Sequence, residues 1–168
     1  MRKVWLTVLG GLLSVVFCLS VAAQTPVLSD GAGDALIKSQ VETAVSLLAA
    51  IHARQQKGEM SAEKAKELAA GLLRELRYGK EGYFWADTTE GVNVVLYGRK
   101  DTEGRNRLAD TDAKGVFYVK EFLARGKTGG YVEYLFTKKG QATPLPQRYY
   151  VLLFKTFGLS LITLTEPT

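Results

Sequence analysis

Arg77-Tyr78-Gly79-Lys80-Glu81-Gly82-Tyr83-Phe84-Trp85-Ala86-Asp87-Thr88-Thr89-Glu90-Gly91-Val92-Asn93-Val94-Val95-Leu96-Tyr97 reads as a helix handing over to a β-hairpin. Arg77-Tyr78-Gly79 closes the helix, and Gly82-Tyr83-Phe84-Trp85 opens an aromatic strand. Asp87 to Gly91 makes the turn, and Val92 to Tyr97 leaves as a second strand.

Working outward, Ile37, Val41, Ala44, Val45, Leu48 and Ile51 recur at steps of three and four, which lines one face of a helix over 35–56. Gly58 is a stop. Ser61 caps a second helix whose stripe is Leu68, Ala69, Leu72, Leu73 and Leu76. Beyond the hairpin comes a polar loop, Gly98 to Asp112, and then a short helix over Ala113 to Ala124. Three more strands follow, at Gly130 to Thr137, Arg148 to Lys155 and Ser160 to Thr165, separated by Lys138-Lys139-Gly140 and by Pro144 and Pro146. The expected fold is α+β: a five-stranded antiparallel sheet with a long N-terminal helix and a second helix packed on it.

Leu76-Arg77-Tyr78-Gly79 followed by Gly82-Tyr83-Phe84-Trp85 resembles the signature of the single-Cache type 2 domain, an extracytoplasmic relative of the PAS fold. The Lys57-to-Ser61 link, the Gly129-to-Tyr134 strand and the Pro146-to-Tyr150 approach agree in order, so the resemblance covers about Val41 to Leu164. It implies a PAS-like sheet and a sensory module of the kind found in chemoreceptors and histidine kinases, binding small carboxylates. Trp85 matches the aromatic of the GYFW strand, and Tyr150 the tyrosine of the strand after the proline. Tyr97-Gly98 stands where that family commonly has histidine-proline, and Phe157-Gly158-Leu159 replaces its Trp-Gly-Trp.

The N-terminus is set apart from this domain. Arg2 and Lys3 precede an apolar run from Val4 to Ala22 that ends in Val21-Ala22-Ala23, which reads as a secretory signal peptide over 1–23. The alternative is an inner-membrane anchor made by residues 4–22, since that run is close to the roughly 20 residues needed to span a bilayer. Both readings export the chain to the periplasm. Residues 24–34 form a flexible lead-in, and 35–168 the single domain. Cleavage removes Cys18, the one cysteine of 168 residues, so the core and not disulfides must hold the fold. It also removes two of the charges behind a formal net charge of +5, leaving too little basic character to argue for nucleic acid.

No catalytic set is visible, and the chain is read as a non-enzyme without cofactor. His52 is the only histidine, which rules out a histidine-dependent triad or a multi-histidine metal site. Asp110, Asp112, Gly115 and Glu121 have the spacing of a calcium loop, but Lys114 puts a positive charge where an oxygen ligand is needed. The same residues serve a helix cap at Asp112 and a turn at Gly115, and no metal site is assigned.

Aromatic residues concentrate in the expected sheet. Alternation puts Tyr83 with Trp85, Val95 with Tyr97, and Arg148 with Tyr150 on shared faces. Aromatic walls with arginines able to hold a carboxylate through paired hydrogen bonds suit a small anionic ligand. The candidate binding residues are Trp85, Tyr97, Arg99, Phe117, Tyr134, Arg148 and Tyr150. The chain stops at Thr168 without a signalling domain, so the expected sensor passes its state to a partner, a membrane receptor or kinase, and pairs with a second copy through its N-terminal helix. The competing expectation is a ligand-free interaction module built on the same fold.

Overall fold

The structure, a computed structural model, describes residues 31–136 and 142–164. The leader, most of the lead-in, the Lys138-to-Gly140 turn and the last four residues lie outside them.

Helix α1, Gly31–Gln56, begins inside the expected lead-in and buries Ile37, Val41, Ala44, Leu48 and Ile51 along one stripe. Helix α2, Ala62–Glu75, starts as expected: the Ser61 hydroxyl accepts from the Lys64 amide at 3.2 Å. It buries Ala65, Ala69 and Leu73, while Leu72 on the expected stripe is exposed. The chain leaves α2 earlier than the sequence reading had it. Arg77–Tyr78 is a two-residue strand, β1, paired with Tyr83 and Gly82. Gly82 is required there, because a Cβ would come within 2.6 Å of the Tyr78 ring and carbonyl.

The five expected strands are all present: β2, Gly82–Thr88; β3, Asn93–Leu96; β4, Gly130–Phe136; β5, Leu145–Phe154; and β6, Leu159–Leu164. Pairing is antiparallel in the order β1-β2-β6-β5-β4, with β3 joined to β2. β5 starts three residues before the expected Arg148, and Leu145 and Pro146 pair with Phe136 and Leu135. Helix α3, Tyr118–Gly126, starts five residues later than expected. Asp112 does not cap it. Its Oδ1 accepts from the amides of Lys114 and Val116, and its Oδ2 from Leu135, which pins the loop to β4.

The sheet is buried on both faces, and side-chain alternation deals each strand to two different cores. Phe84, Ala86, Tyr150 and Leu161 pack with α1 and α2. Trp85, Tyr149, Val151 and Ile162 pack with Phe122 of α3 on the other side. Each fully buried aliphatic side chain contributes about 1.5–3 kcal/mol of transfer free energy, so the α1 stripe fastens the long helix to the sheet.

Candidate functional site

Between the α3 face of the sheet and the 97–117 loop lies a cavity of about 130 Å3. β2 supplies Tyr83 and Trp85 to it, and β4 and β5 supply Tyr134 and Tyr149. Leu96 and Tyr97 close one end, and Tyr118 of α3 closes another. The rings form an ordered stack: Tyr134 lies between Tyr118, 4.4 Å away and 9° off parallel, and Tyr149, 4.6 Å away and 17° off parallel. Phe122 and Trp85 meet Tyr149 edge-on, at 5.6 and 5.2 Å. Such pairs add about 0.5–1.5 kcal/mol each beyond their buried area, which makes the wall rigid.

The loop brings Arg99, Arg105, Arg107 and Asp110 to this cavity, and each arginine has a carboxylate beside it: Asp101 for Arg99, Asp110 for Arg105, and Asp87 with Asp110 for Arg107. Arg107 is buried. Its guanidinium donates to Asp87 Oδ1 at 3.4 Å, to Asp110 Oδ2 at 3.3 Å and to the Tyr118 hydroxyl at 3.3 Å. Arg105 donates to both Asp110 oxygens at 2.9 Å. Asp87, wholly buried on β2, accepts from Asn93 Nδ2 at 2.8 Å, yet its other oxygen has no partner. Burial pushes the Asp87 carboxyl above its ordinary range, with Arg107 opposing. Burial also works against the Arg107 charge, but Asp87 and then Tyr118 outweigh it, so this arginine stays a cation. Burial raises the Tyr83, Tyr134 and Tyr149 hydroxyls, keeping them neutral at ordinary pH.

Trp85, whose side chain lines the cavity, carries the orphan of this site, a buried Nε1 donor with no hydrogen-bond partner. Buried polar atoms are nearly always paired, so an unpaired indole N–H in a residue that lines a cavity is an unusual feature.

Of the seven residues singled out in the sequence, Trp85, Tyr97, Arg99 and Tyr134 line this cavity. Tyr97 reaches it by another route than alternation with Val95. β3 ends at Leu96, Val95 packs on the helical side, and Leu96 and Tyr97 both turn to the cavity. The Arg77 guanidinium covers the Tyr97 ring at 3.5 Å. Arg148 and Tyr150 do share a face, but it is the opposite one. Arg148 donates to Asp34 on α1 at 2.7 and 2.8 Å, and Tyr150 packs among the α1 core residues. Phe117 is exposed just before α3, with the Lys120 ammonium 4.0 Å above its ring. Tyr149, Tyr118, Arg105 and Arg107 belong to the cavity without having been among the seven. Their signal was the aromatic pair Tyr149-Tyr150, in which one ring must face each way, and the density of arginine in the loop.

The calcium-like spacing dissolves into other bonds, Asp110 holding arginines and Asp112 backbone amides. No cluster of three metal-ligating side chains occurs among the described residues.

A sheet backed by a long helix on one face and by a short helix and a long loop on the other is a build shared with solved sensor domains. The model of the family described as single Cache domain 2 matches residues 29–165, and the chain belongs to that family of extracytoplasmic sensor domains. It is similar to the methyl-accepting chemotaxis protein McpP of Pseudomonas putida strain KT2440, 31% identical over 121 residues, which are 70% of this chain and 22% of that protein. It is also similar to the sensor histidine kinase MctS of Rhizobium johnstonii strain 3841, 36% identical over 83 residues, which are 49% of this chain and 18% of that protein. The chain thus spans about a fifth of the length of these curated relatives. Among solved structures, a periplasmic sensor domain of a chemotaxis protein matches with a TM-score of 0.72 at 30% identity, covering 77% of this chain and 92% of that one. A Cache chemosensory domain solved for the structural basis of carboxylic acid recognition matches with a TM-score of 0.75 at 26% identity, covering 82% and 95%. Among the described residues, no helix is long and apolar enough to cross a membrane.

Proposed function

We propose that the chain is an exported sensory domain that binds a small organic acid in the cavity beneath the 97–117 loop. The observation that carries this reading is the unpartnered Nε1 of Trp85, a residue that lines a cavity together with three arginines. A ligand carboxylate accepts from that N–H and from Arg105 or Arg107, while its carbon chain lies against the tyrosine stack. At about 30 Å3 per water molecule, a cavity of about 130 Å3 has room for roughly four waters, which favours acids of two or three carbons. Carboxylic acid recognition by a structurally similar Cache domain supports the same class.

Occupancy reaches the rest of the chain through β5. Tyr149 lines the cavity, while its neighbours Arg148 and Tyr150 hold α1, so a shift of this strand changes how the long helix sits. The receiver is a membrane receptor or kinase, or a second copy meeting α1, on the periplasmic side of the membrane.

A second reading, a ligand-free interaction module, is favoured by the pairing of Arg105 and Arg107 with Asp110 inside the protein. Thermal unfolding against acetate, propionate, succinate, amino acids and amines separates the two. A ligand at a hundred times its Kd adds about 2.7 kcal/mol, several degrees for a domain of this size. The expected result is a rise with short carboxylates that Trp85→Phe abolishes. Cooperative unfolding with no rise for any compound sinks the carboxylate reading and leaves the interaction module.

A further inference from the structure

A second and larger hollow, of about 320 Å3, lies on the same face of the sheet beyond the far flank of α3. Helix α3 turns Val119, Phe122 and Gly126 into the protein. The adjacent stripe, Lys120, Leu123, Ala124 and Lys127, follows the three- and four-residue steps of one helix side and forms a wall of this hollow. Opposite it stand Leu153 of β5 and Ser160 of β6, directly paired across the sheet, with Leu108 from the loop closing the end.

Three leucines make an apolar trough, and two lysines two helical turns apart, about 10.5 Å along the axis, stand on its rim. Lys127 has no carboxylate partner among the described residues. At the floor Ser160 is only 1% exposed, and its hydroxyl has no hydrogen-bond partner. Gly126 passes directly above it: a Cβ on that glycine would stand 3.4 Å from Ser160 Oγ. This hydroxyl sits under the helix, on an inner strand between β2 and β5, in a residue that lines the trough.

We propose that this groove is a second binding site, separate from the tyrosine-walled cavity, for an amphipathic monoanion: a medium-chain acyl carboxylate. The head group takes a hydrogen bond from Ser160 and the charge of Lys127, and the alkyl chain runs along Leu123, Leu153 and Leu108. The size agrees, since about 320 Å3 corresponds to roughly ten water volumes and a six-carbon acid has eight heavy atoms. Charge selects an acid over an alcohol or an amine, because the lining holds two lysines, Lys127 with its ammonium unpaired among the described residues and Lys120 with its ammonium over the Phe117 ring, and no carboxylate.

The test titrates the full chain with sodium hexanoate, following leucine methyl resonances and heat, with hexan-1-ol, hexylammonium and acetate as comparators. Hexanoate is expected to move the Leu123 and Leu153 methyls. Lys127→Glu, an exposed position that leaves the core intact, weakens it about tenfold, and Ser160→Ala weakens it less. Arg105→Ala is expected to lower affinity for acetate in the other cavity and to leave hexanoate unchanged, so the two sites fail or succeed separately. The proposal is overturned if millimolar hexanoate leaves those methyls unmoved, if Lys127→Glu binds as the parent does, if hexan-1-ol binds equally well, or if Arg105→Ala removes hexanoate binding.

Discussion

The two faces of the central sheet are built from different chemistry. Under α1 and α2 the packing is aliphatic, with Ile37, Val41, Leu48 and Leu161 wholly buried around Phe84. On the α3 side the buried residues are mostly aromatic, interrupted by Arg107 and Asp87 and by donors and acceptors left without partners. The first arrangement maximises apolar burial and leaves nothing for a ligand to satisfy. The second gives up part of that stability to hold polar groups inside the protein, some of them without partners. One strand serves both, since Phe84 and Trp85 are neighbours in sequence and belong to opposite cores.

Those neighbours give the sharpest way to break the comparison. Phe84→Ala is expected to cost about 3–5 kcal/mol through the cavity it leaves, lowering Tm by on the order of 10–15 °C. Trp85→Phe keeps an aromatic wall and is expected to cost no more than about 2 kcal/mol, while removing the N–H assigned above to the proposed carboxylate. Thermal unfolding with and without a short carboxylate reads both effects. If Trp85→Phe binds as well as the parent, the division between a holding face and a reading face is wrong.

The buried ion pair comes next. Arg107→Met leaves Asp87 without its cation and is expected to cost about 3 kcal/mol at neutral pH. The pH dependence has a definite sign, because burial holds the folded Asp87 carboxyl above the ordinary value of 3.8. Its favourable contribution is therefore complete below that value and is lost as pH rises through the raised one. Removing Arg107 takes away the charge that opposes the rise, so the loss between acid and neutral pH should steepen. In Arg107→Met/Asp87→Asn the slope due to this pair should vanish. Denaturant unfolding across that pH range measures it, and an unchanged slope in Arg107→Met would mean that the carboxylate is screened by something other than the arginine.

The fold was largely legible because its signals are local. The α1 stripe, the Ser61 cap and the glycine-bounded aromatic strand each report on residues within a turn or two of themselves. The site was legible only in part, because it depends on which face of a doubly buried strand points where. In Arg148-Tyr149-Tyr150 alternation states that the middle residue opposes its neighbours, but it does not name the side on which the cavity lies. That choice is made by Asp34, 114 positions from Arg148 in sequence, which draws the arginine to α1. Arg107 was hidden for a similar reason. It looks like one more loop cation until Asp87, Asp110 and Tyr118 are brought around it.

The smallest expected effect is also the one that bears on signalling. Arg148 fastens the first turns of α1 to the sheet: it holds Asp34 with two nitrogens and Glu133 with a third at 2.7 Å, over the Tyr131 ring, whose hydroxyl donates to the Asp34 carbonyl. The pairs are partly exposed, so Arg148→Met is expected to cost only about 1 kcal/mol, concentrated at the start of α1. Amide hydrogen exchange should show that end opening while the β2–β6–β5 ladder stays protected. Because Arg148 points away from the cavity, carboxylate affinity should be nearly unchanged, whereas any protection of α1 that the ligand induces should fall or disappear. A variant that keeps both affinity and ligand-induced protection would show that the message leaves β5 by Tyr150 and the apolar packing alone, and a variant that loses affinity would show that the two faces are not independent.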